Sequence, residues 1–264
     1  MSKSAIKNGE IIREEDAVLP ITSREVQCNY SVYEALRVLG GKAVHLKDHE
    51  KRLRESAAML KMEIPELPLE KWIDTLVAHD GLEDVTMRIL VVGGSNVQVF
   101  ITYTELLTYP DSYHDEGVAV TTYQGERFMP TCKTSNLLLS YLALNDARSK
   151  GAFEALLVDR NGEVLEGTRS NFYALKDGVV YTADTDKVLS GVTRLSVLKA
   201  LELMGVPVVL RAPGAEEIKS ADALFISSTS MAAMPVSVLD GKPVSTDNEF
   251  VKKIMRYVRE HELD

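Results

Sequence analysis

A single lysine stands at the head of an almost charge-free run. In PTCKTSNLLLSYLAL, Pro130 to Leu144, Lys133 follows a Pro-Thr-Cys turn. An unpaired buried ammonium is costly, so a lysine in such a setting is either displaced to the surface or used for chemistry, typically as an amine that forms a Schiff base. Three further stretches carry groups suited to the same kind of site. Glu166 in EVLEGTRSNF ends a predicted strand, where a carboxylate is suited to stabilise a positive ring nitrogen. Gly191, Val192 and Thr193 in SGVTRLSVL open a predicted helix, whose free N–H groups and dipole attract an anion. In ISSTSMAAMPV, Ser227, Ser228, Thr229 and Ser230 follow an apolar strand and offer hydroxyls and turn amides to a phosphate or carboxylate. Arg52 in HEKRLRESA adds a guanidinium, with Arg54 facing another way. Arg88 in VTMRIL is a charge inside an apolar strand, which either snorkels to the surface or faces a polar cavity. Each alone also has an ordinary reading as a solvated lysine, a turn carboxylate, a threonine cap or a polar turn.

These residues need a scaffold, and the chain has the length for one. With 264 residues it can build one large domain or two modest ones. Hydrophobic residues at 45% and charged residues at 26% are ordinary for a globular protein. A net charge of -9 argues against a general nucleic-acid or anionic-membrane binder. No run is long enough to span a membrane, and MSKSAIKNGEIIREED has no apolar signal region. Cys28 and Cys132 lie far apart and form neither a disulfide framework nor a metal pattern, so a reduced, cytoplasmic setting is expected.

The apolar periodicity predicts mixed α and β structure. YSVYEALRVL and KAVHL read as a hairpin around Gly40-Gly41, and VTMRILVVGGSNVQVFITYTEL as a second hairpin. Helical spacing covers Lys47 to Met62 and Leu69 to His79. LLTYPDSYHDEG reads as a linker. After it come a strand in VAVTTY, a helix from about Ser135 to Lys150 with its leucines in the core, and two strand pairs around Asn161-Gly162 and Asp177-Gly178. A helix from about Thr193 to Met204, strands in PVVLRA and ALFISST, and a helix from about Asp247 to Glu260 complete the pattern. The acidic REED run reads as solvated. Two α/β domains of unequal size are expected: residues 1–106, a linker over 107–115, and residues 116–264.

In order and at these spacings, the motifs resemble the fold-type IV (class IV) pyridoxal-phosphate enzymes, which include branched-chain aminotransferases, D-amino-acid aminotransferases and aminodeoxychorismate lyases. YSVYEALRV, HEKRL, KTSNLLLSYLALNDARSKGAFEALLVDRNGEVLEGTRSNF, LSGVTR and FISSTSMAAMPV carry the resemblance, from about Tyr30 to Val244. It implies a small N-terminal α/β domain and a larger, barrel-like C-terminal α/β domain. It implies pyridoxal 5′-phosphate, with Lys133 as the Schiff-base lysine that also moves the Cα proton and Glu166 as the partner of the pyridine nitrogen. Arg52, Val192, Thr193 and Thr229 match phosphate ligands, and Ser170, Asn171, Leu189 and Ser228 are further expected cofactor contacts. Tyr30, Tyr33, Arg88, Ser230 and Met231 are expected on the substrate side. A homodimer is implied as well.

Departures from the family pattern leave the substrate open. Cys28-Asn29-Tyr30-Ser31-Val32-Tyr33 lacks the glycines common before the hairpin aromatic. Leu138 stands where branched-chain enzymes carry a tyrosine, as in the D-amino-acid enzymes, whereas VTMRILVVGG resembles the branched-chain pattern. The leading expectation is a ping-pong aminotransferase acting on a branched-chain-like or D-amino acid and a 2-keto acid, and Glu34 agrees with that pattern. The alternatives are an aminodeoxychorismate lyase, which would use the same lysine and glutamate, and a non-catalytic cofactor-binding protein.

Overall fold

The computed structural model describes residues 3–263, and the chain divides into two compact units. The first takes the chain up to Leu107, the short segment Cys132–Asn136 and the residues from Glu262 on. The second takes Thr108–Thr131 and Leu137–His261.

The first unit contains β1 (Ser4–Lys7), β2 (Glu10–Arg13), α1 (Arg24–Gln27), β3 (Ser31–Leu39), β4 (Lys42–Ala43), α2 (Leu46–Met59), α3 (Leu69–Asp80), β5 (Val85–Val92) and β6 (Gln98–Glu105). Its strands form one six-stranded sheet in the order β2-β1-β6-β5-β3-β4. The period of two puts Val32, Leu36 and Val38 of β3 and Met87, Ile89 and Val91 of β5 into the core, and α2 packs on β3. The β1–β2 hairpin was not among the expected elements. It turns on Asn8-Gly9, both at positive φ, and a Cβ on Gly9 would lie 2.7 Å from the Trp72 indole nitrogen.

The second unit contains α4 (Asp111–Glu116), β7 (Val118–Gln124), α5 (Leu138–Ser149), β8 (Glu154–Val158), β9 (Val164–Gly167), β10 (Asn171–Lys176) and β11 (Val179–Thr182). It continues with α6 (Val192–Leu203), β12 (Val208–Leu210), β13 (Ala223–Ser228), β14 (Ala232–Leu239), β15 (Lys242–Pro243) and α7 (Asn248–Glu260). Its sheet runs β12-β11-β10-β13-β14-β7-β8-β9, and β9 pairs back onto β10. The strands from β10 round to β9 thus close a ring at the pair Asn171–Glu166. Alternate residues such as Val120, Leu156, Phe172, Ile226 and Val236 fill its interior. The opposite face of β10 and β13 packs Tyr173 and Phe225 against α6 and α7.

Two local expectations change here. Asp111–Glu116, inside the stretch read as a linker, forms α4, and Tyr109 and Tyr113 pack edge-on to Phe153. In α5 the buried stripe is Ser140, Ala143 and Ala147, while Leu138 and Leu142 are 66% and 48% exposed. Of the leucines, only Leu139 packs against the core beneath this helix, and it is partly buried. Small residues let it approach β7 and β8 closely, while Leu138, Tyr141 and Leu142 turn outward.

Candidate active site

In the first unit Lys133 stands in an extended segment, not at a helix start, since α5 begins only at Leu138. The segment adds to the edge of β3. Tyr33 N donates to Lys133 O at 3.1 Å, Ser135 N donates to Ser31 O at 3.1 Å, and Val32 bridges Thr134. Ser56 of α2 clamps the same segment, its hydroxyl accepting from Lys133 N at 3.1 Å and its carbonyl from Cys132 Sγ at 3.3 Å. Strand alternation then puts the lysine side chain on the same face as Tyr33, with Nζ 4.6 Å from the ring centroid. Arg88, paired with Ala35 and so diagonal to Tyr33, brings Cζ to 4.6 Å from the same ring. One aromatic ring is thus flanked by an amine and a guanidinium. Tyr30 is engaged elsewhere: its hydroxyl donates to Leu60 O at 3.1 Å, and a Cβ on Gly93 would lie 2.5 Å from its ring.

Arg52 lies on the other face of β3. His49 and Arg52, three residues apart on α2, both reach Glu34, whose side chain is fully buried. Arg52 Nε donates to Glu34 Oε1 at 2.8 Å and Nη2 to Oε2 at 2.7 Å, and His49 Nδ1 donates to Oε2 at 2.7 Å. Burial by itself would raise the Glu34 carboxyl. The hydrogen bonds from Arg52 and His49, with the charges of Arg52 and Lys133, outweigh it and hold the pKa down at about 2. Burial lowers the pKa of His49 against the pull of Glu34, so the ring is a neutral donor through Nδ1. Arg54 pairs with Glu50 instead, at 2.8 Å.

In the second unit Glu166 sits at the ring closure. Arg127 Nη1 donates to its Oε1 at 3.3 Å and Leu189 N to its Oε2 at 3.4 Å. Asn171, its partner across the closure, donates from Nδ2 to Leu189 O at 2.9 Å. Gly191 caps α6 without a side chain, and a Cβ there would lie 2.4 Å from Asn171 Oδ1. Val192 and Thr193 form the buried first turn of α6. Ser228, Thr229 and Ser230 make the turn between β13 and β14. Arg259 of α7 grips this turn, Nη2 donating to Ser230 O at 2.6 Å, and Ser230 Oγ lies 3.3 Å from both Ser228 Oγ and the Tyr109 hydroxyl.

Two expected contacts have other occupations. Met231 is fully buried among the apolar residues of the ring interior, so its side chain is a packing group. Ser170 donates to Glu154 Oε2 at 3.2 Å. Glu154 is also fully buried and holds the whole loop after Glu166, accepting from Thr168 Oγ1 at 2.5 Å and Thr168 N at 3.2 Å.

Residues 31–239 match the family model for class IV amino-transferases. The chain belongs to this family. It is 30% identical to the D-alanine aminotransferase of Bacillus licheniformis over 90% of this chain and 89% of that one. Among solved structures, the branched-chain aminotransferase of Thermoproteus uzoniensis with norvaline superposes at a TM-score of 0.90 and 25% identity, covering 98% and 94% of the two chains. A second branched-chain amino acid aminotransferase, from T.th. and solved with pyridoxamine 5′-phosphate, gives a TM-score of 0.90 at 27% identity, covering 99% and 95%. This protein is an aminotransferase of mixed α/β fold, and class IV aminotransferases use pyridoxal 5′-phosphate. No comparison favours the lyase alternative.

The residues of this aminotransferase fit that cofactor chemically. Arg194, next to Thr193, is 1% exposed; its Nη2 donates to Ala183 O at 2.6 Å, and its Nε and Nη1 have no hydrogen-bond partner among the described residues. A buried positive charge beside a helix N-terminus suits a phosphate dianion. Glu166 suits a protonated ring nitrogen and Lys133 an aldehyde.

Sequence reasoning missed Arg127, Glu154, Ser56 and Arg259, and gave His49 of HEKRL no role of its own. A glutamate inside the apolar run AFEALLV and a histidine three positions before Arg52 were legible signals. Arg127, Ser56 and Arg259 act on partners remote in sequence, and nothing local marks them.

Proposed function

We propose that this aminotransferase uses pyridoxal 5′-phosphate to move an amino group from a branched-chain-like or D-amino acid to a 2-keto acid in two half-reactions, with Lys133 as the catalytic residue. The observation that carries this reading is the docking of Lys133 on the edge of β3, which fixes its amine beside Tyr33 on the face that also carries Arg88. The bound cofactor supplies an aldehyde to receive the amino group and a ring that accepts electrons. Lys133 Nζ takes the proton from the substrate Cα and returns it. Glu166, steadied by Arg127 and Leu189 N, keeps a proton on the ring nitrogen. In the first unit Arg52 binds the phosphate; in the second, the first turn of α6 with Val192 and Thr193, and the hydroxyls of Ser228 and Thr229, bind it. Asn171 and Leu189 support the contact to Glu166, and Ser170 acts through its bond to Glu154. Arg88 receives a substrate carboxylate, with Tyr33 as the wall beside it.

We also place this enzyme in the cytoplasm as a homodimer. Two free cysteines accord with a reducing compartment, and exposed Leu138, Tyr141 and Leu142 on α5 form an apolar face that accords with a partner copy. No helix among the described residues is long and apolar enough to cross a membrane.

The test is the visible absorption spectrum of the purified protein, taken with D-alanine, L-valine and L-leucine added singly and no keto acid. Loss of the cofactor band with release of one equivalent of the matching keto acid supports the reading and names the stereochemistry. A band unchanged by every amino acid, with pyruvate released from aminodeoxychorismate, would replace it with the lyase.

A further inference from the structure

Glu34 and His49 have no role in the chemistry above, yet they hold Arg52. The face of β3 on which Glu34 stands is otherwise apolar, with Val32, Leu36 and Val38 all at 0% exposure. A fold needing only stability would be served at least as well by an apolar pair here, since a buried ion pair seldom outperforms well-packed hydrophobic residues. What the carboxylate adds is orientation. Its two oxygens take Arg52 Nε and Nη2 in a fork, which fixes the plane of a long side chain that otherwise has wide rotamer freedom. His49 in turn fixes the carboxylate through a bond to Oε2, at 1% exposure.

We propose that Glu34, oriented by His49, is the positioning residue that presents Arg52 to the cofactor phosphate. This rests on the reading of Arg52 as a phosphate ligand. Lys133 is the other cation whose charge reaches Glu34, so the experiment must separate an effect on the phosphate from an effect on the lysine.

Protein freed of its cofactor is titrated with pyridoxal 5′-phosphate and, separately, with pyridoxal, which lacks the phosphate. Glu34→Gln is expected to weaken binding of pyridoxal 5′-phosphate about tenfold or more, and of pyridoxal less than about twofold. His49→Gln, which leaves the Glu34–Arg52 fork in place, is expected to show the same selective loss at a smaller size. Arg52→Ala should reduce the preference for the phosphorylated form at least as much as Glu34→Gln does, and adding Glu34→Gln to it should change nothing further. Parallel weakening of both ligands in Glu34→Gln overturns the proposal, because an effect through Lys133 or through general loosening would not need the phosphate. A full wild-type preference in Glu34→Gln, with that preference reduced in Arg52→Ala, also overturns it and leaves the cofactor reading intact. An undiminished preference in Arg52→Ala overturns both. Thermal unfolding of the cofactor-free variants checks that they fold. Should Glu34→Gln fail to fold, His49→Gln carries the test by the same criterion of selective against parallel loss.

Discussion

Each unit buries a strand carboxylate completely, Glu34 on β3 and Glu154 on β8, and each uses it to hold a neighbouring functional group. They do so by opposite electrostatic means. Glu34 is compensated by one guanidinium and one imidazole. Glu154 is compensated by hydroxyls and amides, from Thr168, Ser170 and Ala155, with Arg169 Nε only at 3.5 Å. The first arrangement concentrates the energy in a single cation, so losing one partner strands a charge. The second spreads it over several neutral donors, so each loss is small. The first suits a group that must itself stay charged to meet a ligand, and the second suits a loop that only has to stay in shape.

Five predictions test this contrast, the largest effect first. Lys133→Ala should lower the transamination rate by about 10³-fold or more, measured as keto acid formed per enzyme; a smaller loss would detach the first unit's edge segment from the chemistry. Glu34→Ala should destabilise the protein by about 3–5 kcal/mol, read from denaturant unfolding, because it leaves Arg52 beside an emptied site. The same carboxylate sets an acid limit. Its folded pKa of about 2 lies below the unfolded value of about 4.3, so its stabilisation is complete above the unfolded value and is lost as pH falls through the folded one. Wild type should therefore lose more stability than Glu34→Gln over that window, and parallel curves would refute the pairing. Glu166→Gln should slow turnover by about 10²-fold while changing cofactor affinity much less, as separated by single-turnover rates and equilibrium titration. Thr168→Val should cost only about 1–2 kcal/mol in the same unfolding assay, since Glu154 keeps its remaining donors. A loss as large as that of Glu34→Ala would erase the difference between the two networks.

Much of the fold was legible because its signals are local. The period of two in VYEALRV and VTMRILVV, the glycine turns and the helical spacing of LKDHEKRLRESAAM all act over a few residues. The Asn8-Gly9 turn between SAIK and EIIR was equally local and marks a hairpin that reading overlooked. The reading of α5 failed for a physical reason. Hydrophobicity alone pointed to its leucines, but close approach to the sheet selects the small residues Ser140, Ala143 and Ala147.

The sequence by itself determined which groups this aminotransferase has for its chemistry and in what order: a lysine, a glutamate, an arginine three residues after a histidine, a bare helix start and a hydroxyl-rich turn. Residue type dictates charge, hydrogen-bonding capacity and local backbone preference, and these need no distant partner. Only the tertiary structure decided that Lys133 is held as an added strand against β3 and Ser56, that Glu166 falls at the closure of the ring beside Arg127, and that Glu34 commands Arg52. Those pairings join residues far apart in the chain, and burial, not spacing, makes them obligatory, because a charge removed from water must find its partner wherever the fold has put it.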